Sequence, residues 1–160
     1  MRWDEFVARS GDLGERAVER IQHQELLMVS TLRRDGSPRI SPCEAYVVDG
    51  DLLVGMMWQS RKALDLIRDP RIAVHSVQCE KTGASGDVKL YGVALDVLEP
   101  VRRVRYCDLL EWSTNWRPVE PFHLFALDVQ EAGYITFGEE RRAMRWDEQK
   151  GLKQIRQPDA

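Results

Sequence analysis

The stretch MMWQSRKALDLIRDPRIAVHSV at residues 56–77 places Ser60, Arg61 and Lys62 where a strand pattern ends and a helix pattern begins. Two cations at this point are unfavourable on their own, because the positive end of the helix macrodipole already lies there. The first-turn N–H groups of a helix also lack partners within it. If the preceding strands form a meander, Arg39 lies nearby. These residues predict an anion site, with bidentate contacts from arginine and a point charge from Lys62.

The same cluster has a second interpretation that spacing alone leaves open. Concentrated charges are usually part of a solvated face, and surface ion pairs contribute little to stability. Arg61 and Lys62 would then pair with Asp65 or Asp69 instead of a ligand. The cluster is therefore either a binding site for an anion or an exposed helix end.

Histidine and cysteine predict neither a metal site nor a nucleophile. The histidines at 23, 75 and 123 lie far apart and lack ligand spacing. The cysteines at 43, 79 and 107 are odd in number and form no CxxC pair, which favours neither a disulfide framework nor a zinc ribbon. Cys43 and Cys79 fall on predicted strands and are expected in the core. We expect no metal, no identifiable catalytic residue, and a reducing compartment such as the cytoplasm.

Length and composition predict one globular domain spanning residues 1–160. The chain is 43% hydrophobic and 31% charged, which is typical of a folded protein. Its net charge of −3 argues against nucleic acid as a partner, because phosphate backbones are bound by concentrated positive fields. We find no signal peptide and no run of 18 uncharged apolar residues, so no membrane partner is expected.

The elements that must position the cluster are mostly strands. Asp35-Gly36 and Asp49-Gly50 separate apolar runs and predict a three-stranded antiparallel meander over 25–58, because both residue types tolerate positive φ. Helices are predicted within an N-terminal segment (1–23), after Ser60, and over 101–111. Further strands are expected in RIAVHSVQ, VKLYGVALDVLEP and FHLFALDVQEAGYITFG, followed by a polar tail at 149–160. Such a short, curved antiparallel sheet usually closes into a small barrel.

Large aromatic residues are numerous and have two possible roles. Trp58, Trp112, Trp116 and Trp146 would either pack in the core or form the walls of a ligand pocket. The sequence does not choose between these roles.

Four segments in order resemble the pyridoxamine 5'-phosphate oxidase-like split-barrel flavoproteins: VSTLRRDGSPRISP, VVDGDLLVGM, SRKALDLIRDPRIAV and GDVKLYGVALDV. The resemblance covers about residues 24–100. It implies a mostly β fold with flanking helices, a six-stranded antiparallel split β-barrel, and a homodimer with FMN at the interface. It also implies that basic residues of the second strand and of the strand–helix junction hold the flavin phosphate.

Carried onto this sequence, the resemblance implies cofactor-binding roles for nine residues. Arg39, Arg61 and Lys62 match phosphate ligands, Gly55 and Met56 match the strand beside the flavin, and Asp87 matches a flavin-ring contact. The full set is Arg39, Ile40, Ser41, Gly55, Met56, Ser60, Arg61, Lys62 and Asp87.

One departure from the family bears on activity. True pyridoxamine phosphate oxidases end in an Arg-x-His motif that binds the substrate phosphate, and the tail EERRAMRWDEQKGLKQIRQ has no such motif. The resemblance therefore implies an FMN-binding oxidoreductase that is not a vitamin B6 oxidase. The alternatives are a deazaflavin-dependent reductase and a non-catalytic carrier or sensor that binds a flavin or haem.

Overall fold

The structure, a computed structural model, describes residues 1–78, 80–137 and 141–155. Cys79, expected in the core, and the last five residues of the predicted tail lie outside the described residues. The helical elements are α1 (Trp3–Arg9), α2 (Asp12–Ala17), a π-helical turn (Val18–Gln22), α3 (Arg61–Arg68) and α4 (Pro100–Thr114). The strands are β1 (Leu26–Leu32), β2 (Pro38–Val48), β3 (Asp51–Met57), β4 (Arg71–Ser76), β5 (Asp87–Asp96), β6 (Phe122–Thr136), β7 (Arg142–Asp147) and β8 (Gly151–Gln154).

Six antiparallel strands close into a barrel. Their hydrogen-bonded order is β3-β2-β1-β4-β5-β6, and pairing between β3 and β6 completes the ring. Each of these six strands therefore has a partner on both sides over at least part of its length, which reduces the free edges through which small antiparallel sheets associate. The predicted six-stranded antiparallel split barrel with flanking helices is confirmed.

Two turns set the register of the first three strands. Asp49 and Gly50 have φ values of 51° and 82°, the positive values that a two-residue hairpin turn requires. Gly36, in the connection between β1 and β2, has a φ of 81°. Both flanking strand pairs are antiparallel, so the hairpins predicted at the two Asp-Gly steps are confirmed.

Two apolar clusters attach the helices to the barrel. In the larger cluster, the ring of Phe6 in α1 contacts two tryptophan rings. Its centroid lies 5.7 Å from that of Trp3, also in α1, and 5.1 Å from that of Trp146 in β7. Trp146 is therefore a core residue. In the smaller cluster, Tyr106 and Leu110 of α4 pack among residues of β2, β3 and β6. The second cluster fixes α4 beside the hairpin of β2 and β3.

The chain beyond the barrel contributes two more strands. Residues from 149 onward were expected as a polar tail, but Gly151–Gln154 forms β8 and pairs with β7. The side chains of β8 are mostly exposed, so its backbone pairing with β7 is what holds this strand in place. In the described part of the chain, no helix combines the length and apolar character needed to cross a bilayer.

Candidate functional site

β2 changes partner along its length, and this change opens the barrel wall. Residues 38–44 of β2 pair with β1, whereas residues 45–48 pair with β3. The far end of β3 pairs with β6 instead. Residues 42–44 and 55–57 therefore diverge, and both segments line a cavity of about 270 Å³. We call it the split cavity.

The walls of the split cavity are largely apolar. They come from β2, β3, β6, α3, α4 and the loop that follows α4. The lining residues are Pro42, Glu44, Gly55, Met56, Met57, Lys62, Tyr106, Leu110, Trp116, Pro118 and Phe122. Apolar walls with a few convergent polar groups are typical of small-molecule sites, which usually measure roughly 300–1,000 Å³. The split cavity is slightly smaller than this range, so it suits a flat ring system better than a whole nucleotide.

Tyr106 forms the floor where the two strands separate. Its hydroxyl accepts a hydrogen bond from the Gly55 N–H at 3.0 Å and lies 3.3 Å from the Glu44 carbonyl oxygen, to which it donates. Burial raises the pKa of this phenol far above its ordinary value, so the hydroxyl stays protonated. Any side chain at position 55 would collide with the Tyr106 ring, which explains the glycine.

The start of α3 carries an unsatisfied hydroxyl. Ser60 is the N-cap residue, yet its side chain makes no capping hydrogen bond. Its Oγ is buried and has no hydrogen-bond partner among the described residues. Buried polar atoms are normally paired, so this hydroxyl and the free N–H groups of the first turn are available to an anionic ligand.

Lys62 points from α3 toward the split cavity. Its Nζ donates to the Pro42 carbonyl oxygen at 3.1 Å and lies 3.0 Å from the Cys43 Sγ. Burial raises the pKa of the Cys43 thiol, and the nearby ammonium only partly offsets this effect. Cys43 is thus a protonated core thiol, as the sequence predicted, and Lys62 supplies positive charge beside the cavity.

Arg39 and Arg61 lie at a different cavity from Lys62. Both line a separate cavity of about 670 Å³ beside α3 and the turn between β1 and β2. Arg39 donates from Nε to Asp65 at 2.7 Å, so one of the two carboxylates proposed as surface partners does pair with a basic residue. The basic residues of the predicted anion cluster therefore lie at two separate cavities: Lys62 lines the split cavity, whereas Arg39 and Arg61 line the other.

Ile40, Ser41 and Asp87 line neither of these cavities. Ile40 is 65% exposed and borders an apolar depression of about 440 Å³ on the outer face of the sheet. Ser41 pairs with Val29 in the ladder between β1 and β2. Asp87, at the start of β5, lies 3.1 Å from Lys89. Of the nine residues predicted to bind the cofactor, only Gly55, Met56 and Lys62 line the split cavity within the described chain.

Sequence reasoning missed the contribution of α4. In the helix predicted at 101–111, the apolar residues Val101, Val104, Leu109 and Leu110 form the expected buried side, but Val101 and Val104 are exposed, at 62% and 52%. The buried residues of α4 are Tyr106, Cys107 and Leu110. Their spacing of three to four residues is itself helical, so this alternative face was present in the sequence but was overlooked.

The histidines are engaged within the chain or lie away from the cavity. His123 accepts a hydrogen bond from the Gln59 N–H at Nε2 over 3.3 Å, and Trp58 stacks on its ring at 4.6 Å. Across the described residues, no group of three or more histidine, cysteine, aspartate or glutamate side chains could hold a metal ion.

Comparison with known families agrees with this architecture. A sequence model described as pyridoxamine 5'-phosphate oxidase matches residues 13–136. The chain belongs to the pyridoxamine 5'-phosphate oxidase family. The match includes the split cavity and the start of α3, so both features lie within the part that defines the family. No curated protein sequence matches the chain.

Solved structures share the fold at low sequence identity. A pyridoxamine 5'-phosphate oxidase-related, FMN-binding protein from Nostoc punctiforme is 15% identical, with a TM-score of 0.68 over 89% of this chain and 94% of that one. A haem-binding protein from Mycobacterium smegmatis is 19% identical, with a TM-score of 0.67 over 88% of this chain. Campylobacter jejuni ChuZ is 14% identical, with a TM-score of 0.71 over 93% of this chain.

The fold is therefore shared by proteins of different sizes. The chain spans 57% of the length of the mycobacterial protein and 64% of ChuZ. At these identities the likeness establishes the fold alone.

Proposed function

We propose that this chain is an FMN-binding oxidoreductase of the pyridoxamine 5'-phosphate oxidase family. The isoalloxazine ring would lie in the split cavity, and the phosphate at the start of α3. The buried, unpartnered Oγ of Ser60 carries this proposal, because a phosphate oxygen is the acceptor that this hydroxyl lacks. Lys62, two residues along, adds the positive charge that a phosphate requires.

The walls of the split cavity support a flat, largely apolar ring. Met57, Trp116 and Phe122 offer apolar surface, while Tyr106 and the backbone of β3 offer hydrogen-bonding groups. A bound flavin would supply the hydride or electron chemistry. The contribution of the chain is to orient the ring, to exclude water with α4, and to hold the phosphate.

We further propose a homodimer, which is the partner that the family resemblance implies. The apolar depression on the outer sheet face is flanked by Ile40 and Tyr91, which are 65% and 46% exposed. A second copy covering this face would bury both side chains. Asp87 would then lie at the interface, where a flavin-ring contact from the partner chain becomes feasible. Two cysteines of the described chain, Cys43 and Cys107, are free thiols, which supports placement in the reducing cytoplasm.

Several observations narrow the ligand and the substrate. The described residues lining the split cavity include neither a histidine nor a cysteine, but they include Met56, Met57 and Tyr106, whose side chain types also occur as axial ligands of haem, so the titration below decides between flavin and haem. Near the C-terminus, Arg142 pairs with Asp12 at 2.9 Å and Arg145 with Glu131 at 2.7 Å. These two arginines are bound within the chain. We therefore propose that pyridoxamine 5'-phosphate is not the substrate.

The test is to titrate the purified chain separately with FMN, riboflavin, deazaflavin coenzyme and haem. We expect FMN to bind more tightly than riboflavin, since the phosphate contacts α3, and more tightly than the other two ligands. Equal affinity for FMN and riboflavin would refute the phosphate site. Tighter binding of deazaflavin coenzyme or haem than of FMN would identify that ligand, and not FMN, as the cofactor.

Activity is tested on the FMN-loaded chain. Pyridoxamine 5'-phosphate is added under air, and formation of pyridoxal phosphate is followed. We expect turnover below about 0.1 per second, a tenth of the low end of ordinary enzyme rates. Faster turnover would contradict this proposal and would support vitamin B6 oxidation as the function. Reduction of the bound flavin by a nicotinamide donor, followed by reoxidation, would separate an enzyme from a carrier.

A further inference from the structure

The lining of the split cavity divides into a buried floor and an exposed rim. The floor consists of the buried residues Met56, Tyr106, Leu110 and Phe122. The rim consists of the exposed residues Pro42, Glu44, Met57 and Trp116. A flat ring in the cavity would rest on the floor, so a second molecule reaches that ring past the rim. The chemistry of the rim therefore decides which molecules approach it.

Glu44 places a carboxylate on the rim. Among residues 1–78, 80–137 and 141–155, this carboxylate makes no hydrogen bond and no ion pair. Its charge acts on the floor: burial is the main cause of the raised pKa of Tyr106, and the negative charge of Glu44 raises that pKa further. Lys62, the other charged residue of the lining, donates to the Pro42 carbonyl oxygen at 3.1 Å instead. The cavity therefore offers a negative group that no described side chain neutralises.

Trp116 adds an aromatic face to the same rim. Its side chain is 56% exposed, and its ring stacks on no other ring in the described part of the chain. The face of Phe122, by contrast, is covered by the Arg103 guanidinium, which lies 4.2 Å from the ring centroid. The loop that carries Trp116 is held against α4, because Arg117 donates to two carboxylates of that helix at 2.7 Å and 2.8 Å. The loop is thus in position before a ligand binds, which lowers the entropic cost of binding.

We propose that the rim of the split cavity binds an organic cation, meaning a small ring compound with a protonated amine or a quaternary ammonium group. Glu44 would attract its charge, and the Trp116 ring would hold it by cation–π attraction. The same carboxylate disfavours anionic compounds. This inference rests on the proposed function, and it names the substrate class of the same site: cations that reach the flavin ring past Glu44 and Trp116.

A bound flavin strengthens the preference for cations. A phosphate monoester carries about −1.5 to −2 charge at pH 7, which more than balances the single charge of Lys62. Glu44 then carries the remaining side-chain charge among the described lining residues, and most of its neighbours in the lining are apolar. Charges attract more strongly beside apolar surface than in open water. A cation should therefore bind the FMN-loaded chain more tightly than the flavin-free chain.

The experiment is calorimetric titration of the full-length, FMN-loaded chain with three probes of matched size. Benzylamine is protonated at pH 7, benzyl alcohol is neutral and benzoate is anionic. We expect benzylamine to bind about tenfold more tightly than benzyl alcohol, and benzoate to bind more weakly than either. Saturation with benzylamine should leave FMN bound, because the cation occupies the rim and the flavin ring the floor.

Two pairs of variants test the residues. Glu44→Gln keeps the shape of the side chain and removes its charge, so it should reduce the preference for benzylamine over benzyl alcohol by about threefold or more. Its control is Glu148→Gln, an exposed glutamate in the turn between β7 and β8. Trp116→Leu should reduce the same preference, because leucine has no aromatic face. Its control is Trp112→Leu, which is 81% exposed on α4 and does not line the split cavity.

The outcomes separate this inference from the flavin assignment. If FMN binds but benzylamine and benzyl alcohol bind equally well, the inference is overturned and the proposed function stands. Equal effects of a rim variant and its control also overturn it, as does displacement of FMN by benzylamine. If FMN does not bind, the proposed function fails, and the same titrations of the flavin-free chain decide the inference. A preference for benzylamine that needs both Glu44 and Trp116 then supports the cation site, and its absence refutes it.

Discussion

Replacement of Lys62 by alanine tests the proposed phosphate site most directly. A hydrogen bond to a charged group contributes about 1.5–3 kcal/mol. In the ligand-free chain the Lys62 Nζ already donates to the Pro42 carbonyl oxygen at 3.1 Å, so phosphate binding exchanges one acceptor for another. We therefore expect the lower half of that range, a weakening of FMN binding by about tenfold to fortyfold.

The assay compares the dissociation constants of FMN and riboflavin for the wild-type chain, for Lys62→Ala and for Lys81→Ala. Lys81 is an exposed lysine in the loop before β5 and serves as the matched control. Riboflavin affinity should change little in Lys62→Ala, because riboflavin has no phosphate. The reasoning fails if FMN binding is unchanged in a variant whose melting temperature is also unchanged. It fails equally if FMN and riboflavin lose affinity to the same degree.

Three further predictions concern the fold and the assembly. Tyr106→Phe should lower the free energy of unfolding by about 1–3 kcal/mol in urea denaturation, because the Gly55 N–H loses its acceptor; no change would contradict the Tyr106 contact. The Asp65 carboxyl has a folded pKa below its ordinary 3.8, so its stabilisation exists above that pH and is lost on acidification. The stability gap between wild type and Asp65→Asn should therefore shrink from pH 7 to pH 3, and a constant gap would contradict this. Light scattering of the flavin-loaded chain should give twice the 18.5 kDa chain mass; a monomer would refute the dimer.

Local sequence signals predicted most of the barrel. The Asp-Gly turns and the alternating runs around them identify β1 to β3, because a tight turn and a period of two are local properties. The pairing of β3 with β6 is not local, since Leu53 and Ala126 are partners across more than half of the barrel sequence. Closure could be expected from the number of short strands, but its register could not.

The candidate site was predictable only in part. Lys62 stood out, because a cation is unfavourable at the start of a helix unless an anion binds there, and Ser60 belongs to the same cluster. The separation of Lys62 from Arg61 depends on the direction in which each side chain leaves α3, and the spacing of cations in the sequence does not show this direction. Tyr106 was missed because it acts through a helix distant in sequence that packs over the gap between β2 and β3.

The bond between Tyr106 and Gly55 also has a consequence for amide hydrogen exchange. The Gly55 N–H is held by a side chain of α4, not by a neighbouring strand. The rate at which this amide exchanges with solvent therefore depends on how often α4 undocks. The exchange rates of amides in the ladder between β3 and β6 depend instead on opening of the barrel. A ligand in the split cavity that contacts both α4 and β3 would slow exchange at this one amide more than at its neighbours. Gly55 thus acts as a built-in reporter of whether the helix is seated on the barrel.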